Sequence, residues 1–201
     1  MNTQINFCLI HILMPKLFLV VNEDRFFLSH RKDIALEAKN NGFDVTVVCK
    51  DTGQKNDVLS LGLKMTDLPI NPTGENIFQE TKTFQFLRKL YKTEKPDIVH
   101  HVGLKNILWG SLAAKFSKIN GVVNAVSGLG TMFNGDKPSF VAKMILKILK
   151  YACHNRNVIT IFQNHEDENL FLKYCICNEK NSVFIKGSGI NLDEYIFTPE
   201  K

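Results

Sequence analysis

From Lys16 almost to its end, the chain alternates short apolar runs with stretches of helical periodicity. Lys16-Leu17-Phe18-Leu19-Val20-Val21 has no polar alternate, as a parallel strand covered on both faces requires. Asp44–Cys49 (DVTVVC), Leu63–Leu68, Asp97–His101, Gly121–Val126, Val158–Gln163 and Ser182–Ile185 complete a set of seven predicted strands. Ser29 is placed as the cap of a helix that ends at Asn41-Gly42, where a left-handed stop suits glycine. Phe84, Leu87, Leu90 and Tyr91 recur at helical spacing, and that helix must end before Pro96. Further helices are predicted over Ile107–Phe116, Ser139–His154 and Asp167–Tyr174. Strands alternating with helices at this spacing imply right-handed crossovers and a parallel sheet with helices on both faces. The prediction is one α/β domain over residues 14–186, a doubly wound parallel sheet of about seven strands.

Residues 1–13 have no place in that alternation and are expected to lie outside the fold as an N-terminal extension. The apolar stretch Ile5–Val21 contains His11, Pro15 and Lys16, and its second half is already explained as a strand, so no membrane span is predicted. At 201 residues, 44% hydrophobic and 22% charged, the chain suits one well-buried globular domain. A net charge of +5 fits an anionic small molecule, an anionic membrane surface or plain solubility. No stripe of Lys and Arg is interleaved with aromatics, which argues against nucleic acid. The five cysteines include no CxxC pair, and Cys175-x-Cys177 does not have zinc-site spacing; idle thiols in a reducing compartment and no metal are expected.

In such sheets ligands bind beyond the carboxyl ends of the strands, where strand order reverses. An order of 3-2-1-4-5 puts that crevice between the first strand and Asp97–His101, lined by Asn22–Ser29, His101–Asn106 and Ser127–Gly135. The first of these loops lacks the glycines of a dinucleotide fingerprint, which argues against a nicotinamide or flavin cofactor. Gly130–Lys137 misses a phosphate-binding loop, because Asp136 precedes the lysine and Pro138 follows it. Gly128-Leu129-Gly130 either turns backbone N–H groups toward an anion or sugar, or is a tight turn needing positive φ. His30 and His101 are either ordinary packed residues or the polar lining of the crevice. His100 should point the opposite way from His101. Lys105 is either a cation at the rim or a solvated helix start. Lys143, Lys147 and Lys150 share one face of their helix, which is either an interfacial helix on anionic lipid or a core helix with a basic wet ridge.

Four segments together resemble the family 4 glycosyltransferases that act on bacterial surface polysaccharides: Phe26-Phe27-Leu28-Ser29-His30-Arg31, Val126-Ser127-Gly128-Leu129-Gly130 with Phe133, Phe162-Gln163-Asn164, and Gly187–Tyr195. The subgroup they resemble acts on undecaprenyl-diphosphate-linked acceptors, as in lipopolysaccharide or capsule synthesis. The resemblance runs from Met14 to Pro199. It implies a GT-B enzyme of two Rossmann-like domains, a retaining transfer without metal or cofactor, and a UDP- or GDP-linked sugar held mainly by the second domain. The present residues would be the acceptor side, with Arg25, Ser29, His30, His101, Lys105, Ser127, Gly128 and Gly130 as cleft residues. Residues 187–201, with Gly187, Ser188 and Gly189, would be the hinge segment toward a second domain that carries the family's E-x7-E carboxylates. No transfer by this chain alone is expected, and a cytoplasmic location is implied, with peripheral attachment to the inner face of the plasma membrane as an option. Two alternatives stay open: half of a sugar-nucleotide 2-epimerase, and a non-catalytic subunit that docks a separately encoded donor domain.

Overall fold

The computed structural model describes residues 14–71, 77–129, 139–187 and 189. Among these residues seven strands alternate with helices. The order is β1 (Lys16–Glu23), α1 (Asp24–His30), α2 (Lys32–Asn40), β2 (Asp44–Lys50), α3 (Lys55–Ser60), β3 (Lys64–Asp67), α4 (Ile77–Glu94), β4 (Ile98–Val102), α5 (Leu104–Ser117), β5 (Gly121–Val126), α6 (Phe140–Cys153), β6 (Val158–Phe162), α7 (His165–Lys173) and β7 (Ser182–Phe184). All pairings are parallel, in the order β3-β2-β1-β4-β5-β6-β7. This is a Rossmann-like doubly wound sheet, and every predicted strand is present within two residues at each end. The N-terminal extension 1–13 lies outside the described residues, as do Gly130, Ser188 and residues 190–201.

Two readings of local sequence need correction. Ser29 caps nothing: it lies inside α1, where its hydroxyl donates to the carbonyl of Arg25 at 2.8 Å. The predicted single helix is two, broken at Arg31, and the short α3 carries too few periodic positions to be legible. The helix stop at Asn41-Gly42 holds, with Gly42 at φ +86°.

Strand alternation divides the core in two. Phe18, Val99, Val122 and Val158 stand side by side in register and pack against α4, α5 and α6. Leu19, His100, Val123 and Ile159 form the next row, on the opposite face. Among the described residues, that face is covered by α1, α2 and α3 only on the β1–β3 side. Exposure along the row therefore climbs from 1% at Leu19 and 8% at His100 to 44% at Ile159.

Candidate functional site

The chain proceeds outward from β1 to β3 and then returns to pair β4 against the other side of β1, so the order reverses at β1. The carboxyl ends of β1, β4 and β5 meet there around Gly103. This residue has φ +84°, and a side chain built on it would reach 4.0 Å from both Asn22 Nδ2 and Ser127 Oγ. The Gly103 N–H donates to the carbonyl of Ala125 at 3.0 Å. Asn106, in the first turn of α5, donates its side-chain amide to Asn22 Oδ1 and to the Val102 carbonyl, both at 2.8 Å. Asn106 is fully buried, and its own Oδ1 makes no hydrogen bond among the described residues. Ser127 and Gly128 lie exposed at the end of β5.

The described parts of the nominated loops thus converge, with residues 130–135 of the third outside the described residues, and the residues that meet are Asn22, Gly103, Asn106 and Ser127. Gly128 has φ +125°, which favours glycine, and open space where a Cβ would be. Arg25, Ser29 and His30 are exposed on α1. His30 stacks on Phe26 with ring centroids 4.8 Å apart, and its Nδ1 is 2.6 Å from Ser29 Oγ. Lys105 is no uncommitted cation. Its Nζ pairs with Glu80 Oε1 at 2.8 Å and donates to the Asn71 carbonyl at 3.0 Å, while the Trp109 indole donates to the other Glu80 oxygen. It ties α5 to α4 and to the segment after β3.

His101 is the clearest correction. It is 0% exposed and faces the α4–α5 side of the sheet rather than the crevice. Its Nδ1 lies 2.9 Å from Asn124 Oδ1 and its Nε2 lies 2.9 Å from the Tyr91 hydroxyl. An amide oxygen only accepts, so Nδ1 carries the proton and Nε2 accepts from Tyr91. Ser111 Oγ donates to the same Asn124 oxygen at 3.1 Å. Burial lowers the imidazole pKa to about 4, against the opposing effect of the Asn124 hydrogen bond. Burial also pushes the Tyr91 hydroxyl up, so it remains a donor. His100 does point the other way; burial, the Arg31 charge and His101 lower it to about 3.

Asp24 escaped the sequence reading. It is fully buried at the start of α1, and its carboxylate accepts from the N–H groups of Arg25, Thr52 and Gln54 at 2.8–2.9 Å and from the Thr52 hydroxyl. Burial raises its pKa, but these hydrogen bonds outweigh that effect and hold the carboxyl below its ordinary value. It pins the loop after β2 beside the β1 end of the crevice. Asn164, within a segment of the resemblance, is the N-cap of α7, accepting from the Asp167 N–H at 2.8 Å. Gly187 and Gly189 sit at φ +67° and +71° in the segment read as a hinge. Among the described residues no cluster of three or more His, Cys, Asp or Glu could hold a metal ion.

Residues 16–164, more than half of the chain, match the family model described as "Glycosyl transferase 4-like". A similar protein is the UDP-Gal:alpha-D-GlcNAc-diphosphoundecaprenol alpha-1,3-galactosyltransferase of Escherichia coli, 26% identical over 78% of this chain and 39% of its own length. Another is the N,N'-diacetylbacillosaminyl-diphospho-undecaprenol alpha-1,3-N-acetylgalactosaminyltransferase of Campylobacter jejuni, 27% identical over 84% of this chain and 47% of its own. The chain thus spans less than half the length of either relative. Among solved structures, a glycosyltransferase from Rickettsia africae superposes with TM-score 0.61 at 16% identity, covering 93% of this chain and 47% of that one. A UDP-N-acetylglucosamine 2-epimerase superposes with TM-score 0.60 at 19% identity, covering 84% and 47%, so this likeness speaks to the fold alone. The chain belongs to the glycosyl transferase 4-like family.

Proposed function

We propose that residues 14–186 of this family member form the acceptor side of a retaining GT-B glycosyltransferase. It would move a sugar from a UDP- or GDP-linked donor to a saccharide carried on polyprenyl diphosphate, in bacterial surface polysaccharide synthesis. The observation that carries this reading is that both relatives, aligned over most of this chain, are named for acceptors on a diphosphoundecaprenol carrier.

The acceptor is assigned to the edge where Asn22, Gly103 and Ser127 meet. Amide and hydroxyl groups there match sugar hydroxyls, and the amino end of α5 and the Gly128 N–H favour the negative charge of a diphosphate. Arg25, Ser29 and His30 form an outer wall on α1. The donor is assigned to a second GT-B domain reached through the Gly187-Ser188-Gly189 segment. Donor clamping between two walls supplies much of the transition-state binding, so this chain alone binds acceptor and transfers nothing. It works at the inner face of the plasma membrane, where lipid-linked saccharides are built.

The test is titration of the chain with a water-soluble, short-chain prenyl-diphosphate saccharide, followed by calorimetry or NMR. Saturable binding is expected, weakened by Ser127→Trp with the melting temperature unchanged. A panel of UDP- and GDP-sugars added to the mixture should yield no product. Absence of acceptor binding, or turnover by the isolated chain, overturns the assignment.

A further inference from the structure

The outward side of α6 is unusual for a helix that packs on a sheet. Its inward stripe is ordinary: Ala142, Leu146, Leu149, Ala152 and Cys153 are buried at helical spacing. Opposite them stand Phe140, Met144 and Tyr151, exposed at 80%, 48% and 54%, with Val141 at 56%. A helix with a wet outer face shows polar residues there. Here the polar residues are confined to one row of three, Lys143, Lys147 and Lys150, all exposed at the flank of the apolar stripe. The helix carries no carboxylate. Both stripes open onto a groove of about 480 Å³ lined by Phe140, Lys143, Met144, Lys147, Lys150 and Tyr174. The apolar surface continues onto α5, where Phe116 is 48% exposed and lies 6.5 Å from the Tyr151 ring. Cations rim it there too: Lys115 Nζ lies 4.1 Å over the Tyr151 ring, and the Arg88 guanidinium 5.7 Å over Phe116.

We infer that α6 is a bilayer-docking element that lies flat on an anionic membrane, with Phe140, Val141 and Met144 among the upper acyl chains and Lys143, Lys147 and Lys150 at the lipid phosphates. Charge complementarity selects this occupant. Three ammonium groups beside an apolar stripe match a surface that offers phosphates above hydrocarbon. A second copy of the chain docked antiparallel by the same face, about a two-fold axis across the helix, would bring lysine row toward lysine row. Fourteen residues make a helix of about 21 Å, which is too short to cross a hydrocarbon core of roughly 30 Å but ample to lie along its surface. No described helix is long and apolar enough to span a membrane. The purpose of the docking rests on the lipid-linked acceptor proposed above, since a saccharide on a prenyl carrier is met only at the bilayer surface.

Flotation of the full chain with vesicles tests this. Vesicles of phosphatidylcholine with roughly one-third phosphatidylglycerol are compared with phosphatidylcholine alone, each at low and high salt. The chain should bind the anionic vesicles in a salt-sensitive way and the neutral ones weakly. The K143Q/K147Q/K150Q variant should lose on the order of a hundredfold in affinity for anionic vesicles. The F140S/V141S/M144S variant should lose binding as well, and both should melt near the parent because the altered residues are exposed. Equal binding to neutral and anionic vesicles, parent-like binding by the lysine variant, or no vesicle binding at all overturns the inference. So does a dimer of the parent that the apolar variant alone abolishes while vesicle binding persists, because the stripe would then join two copies. The vesicles contain no prenyl lipid, so failure here leaves the acceptor assignment standing, and failure of the soluble acceptor to bind leaves this inference standing.

Discussion

Acidification from pH 7.5 to 5 should destabilise the fold through two histidines that the sheet holds neutral. An unfolded imidazole titrates near 6.5 and is almost wholly protonated at pH 5. In the folded chain His101 titrates at about 4 and His100 at about 3, so at pH 5 both remain largely neutral. The unfolded state then binds more protons, and stability rises with pH across this window. The stabilisation is complete above the unfolded value of 6.5 and is lost as pH falls toward the folded values. At 1.36 kcal/mol per unit, each histidine gives up about 2 kcal/mol between pH 7.5 and 5. The pair amounts to about 4 kcal/mol, a large part of the 5–15 kcal/mol typical of a domain, and a fall in Tm of roughly 10 °C. The cause is visible around His101. A proton on Nε2 would turn that atom from acceptor to donor, facing a Tyr91 hydroxyl that already donates to it and is itself fully buried. Urea unfolding at pH 7.5, 6 and 5, for the parent and for H100Q/H101Q, reads the effect. The double variant should be less stable at pH 7.5 but should lack most of the drop between 7.5 and 5. A parent whose unfolding free energy changes by less than about 1 kcal/mol over that range, or a variant that keeps the full drop, would refute the reasoning.

Gly110→Ala should destabilise the domain by roughly 1–3 kcal/mol, although alanine is the better helix former, because the added Cβ would overlap the His101 ring; chemical denaturation checks it, and a stabilised variant would contradict the packing. Asp24→Ala should cost roughly 2–4 kcal/mol by leaving the Thr52 and Gln54 N–H groups without their shared acceptor. Hydrogen exchange should then show faster exchange at those amides, and unchanged protection would refute the role given to Asp24. Glu80→Gln should loosen the tie between α4 and α5 by removing the charge opposite Lys105, a loss of about 1 kcal/mol given the partial exposure of the pair. Lys105→Met in the same background should add little, as a double-mutant cycle would reveal.

What the sequence made legible and what it hid follow from the range of the forces involved. A parallel strand buried on both faces needs an unbroken apolar run, so Leu17–Val21 announces itself, and right-handed crossovers then put helices on both faces of the sheet. The meeting of the carboxyl ends of β1, β4 and β5 at Gly103 was legible from an order of 3-2-1-4-5, since that order dictates which strand ends are neighbours. Side-chain commitments were not legible, because they are settled by partners distant in sequence. Lys105 looks like a free cation until Glu80, twenty-five positions earlier, closes on it at 2.8 Å. His101 looks like a crevice ligand until strand alternation turns it inward, to an acceptor supplied by β5 and a donor supplied by α4. Two adjacent histidines on a buried strand must face opposite sides of the sheet, so at most one could have shared a crevice with His30, and the other strand residues that share His101's face, Val99 included, are core. The outward apolar stripe of α6 shows the converse limit: sequence placed the three lysines on one row, but only packing could show that Phe140 and Met144 stay in solvent beside them instead of turning to the sheet.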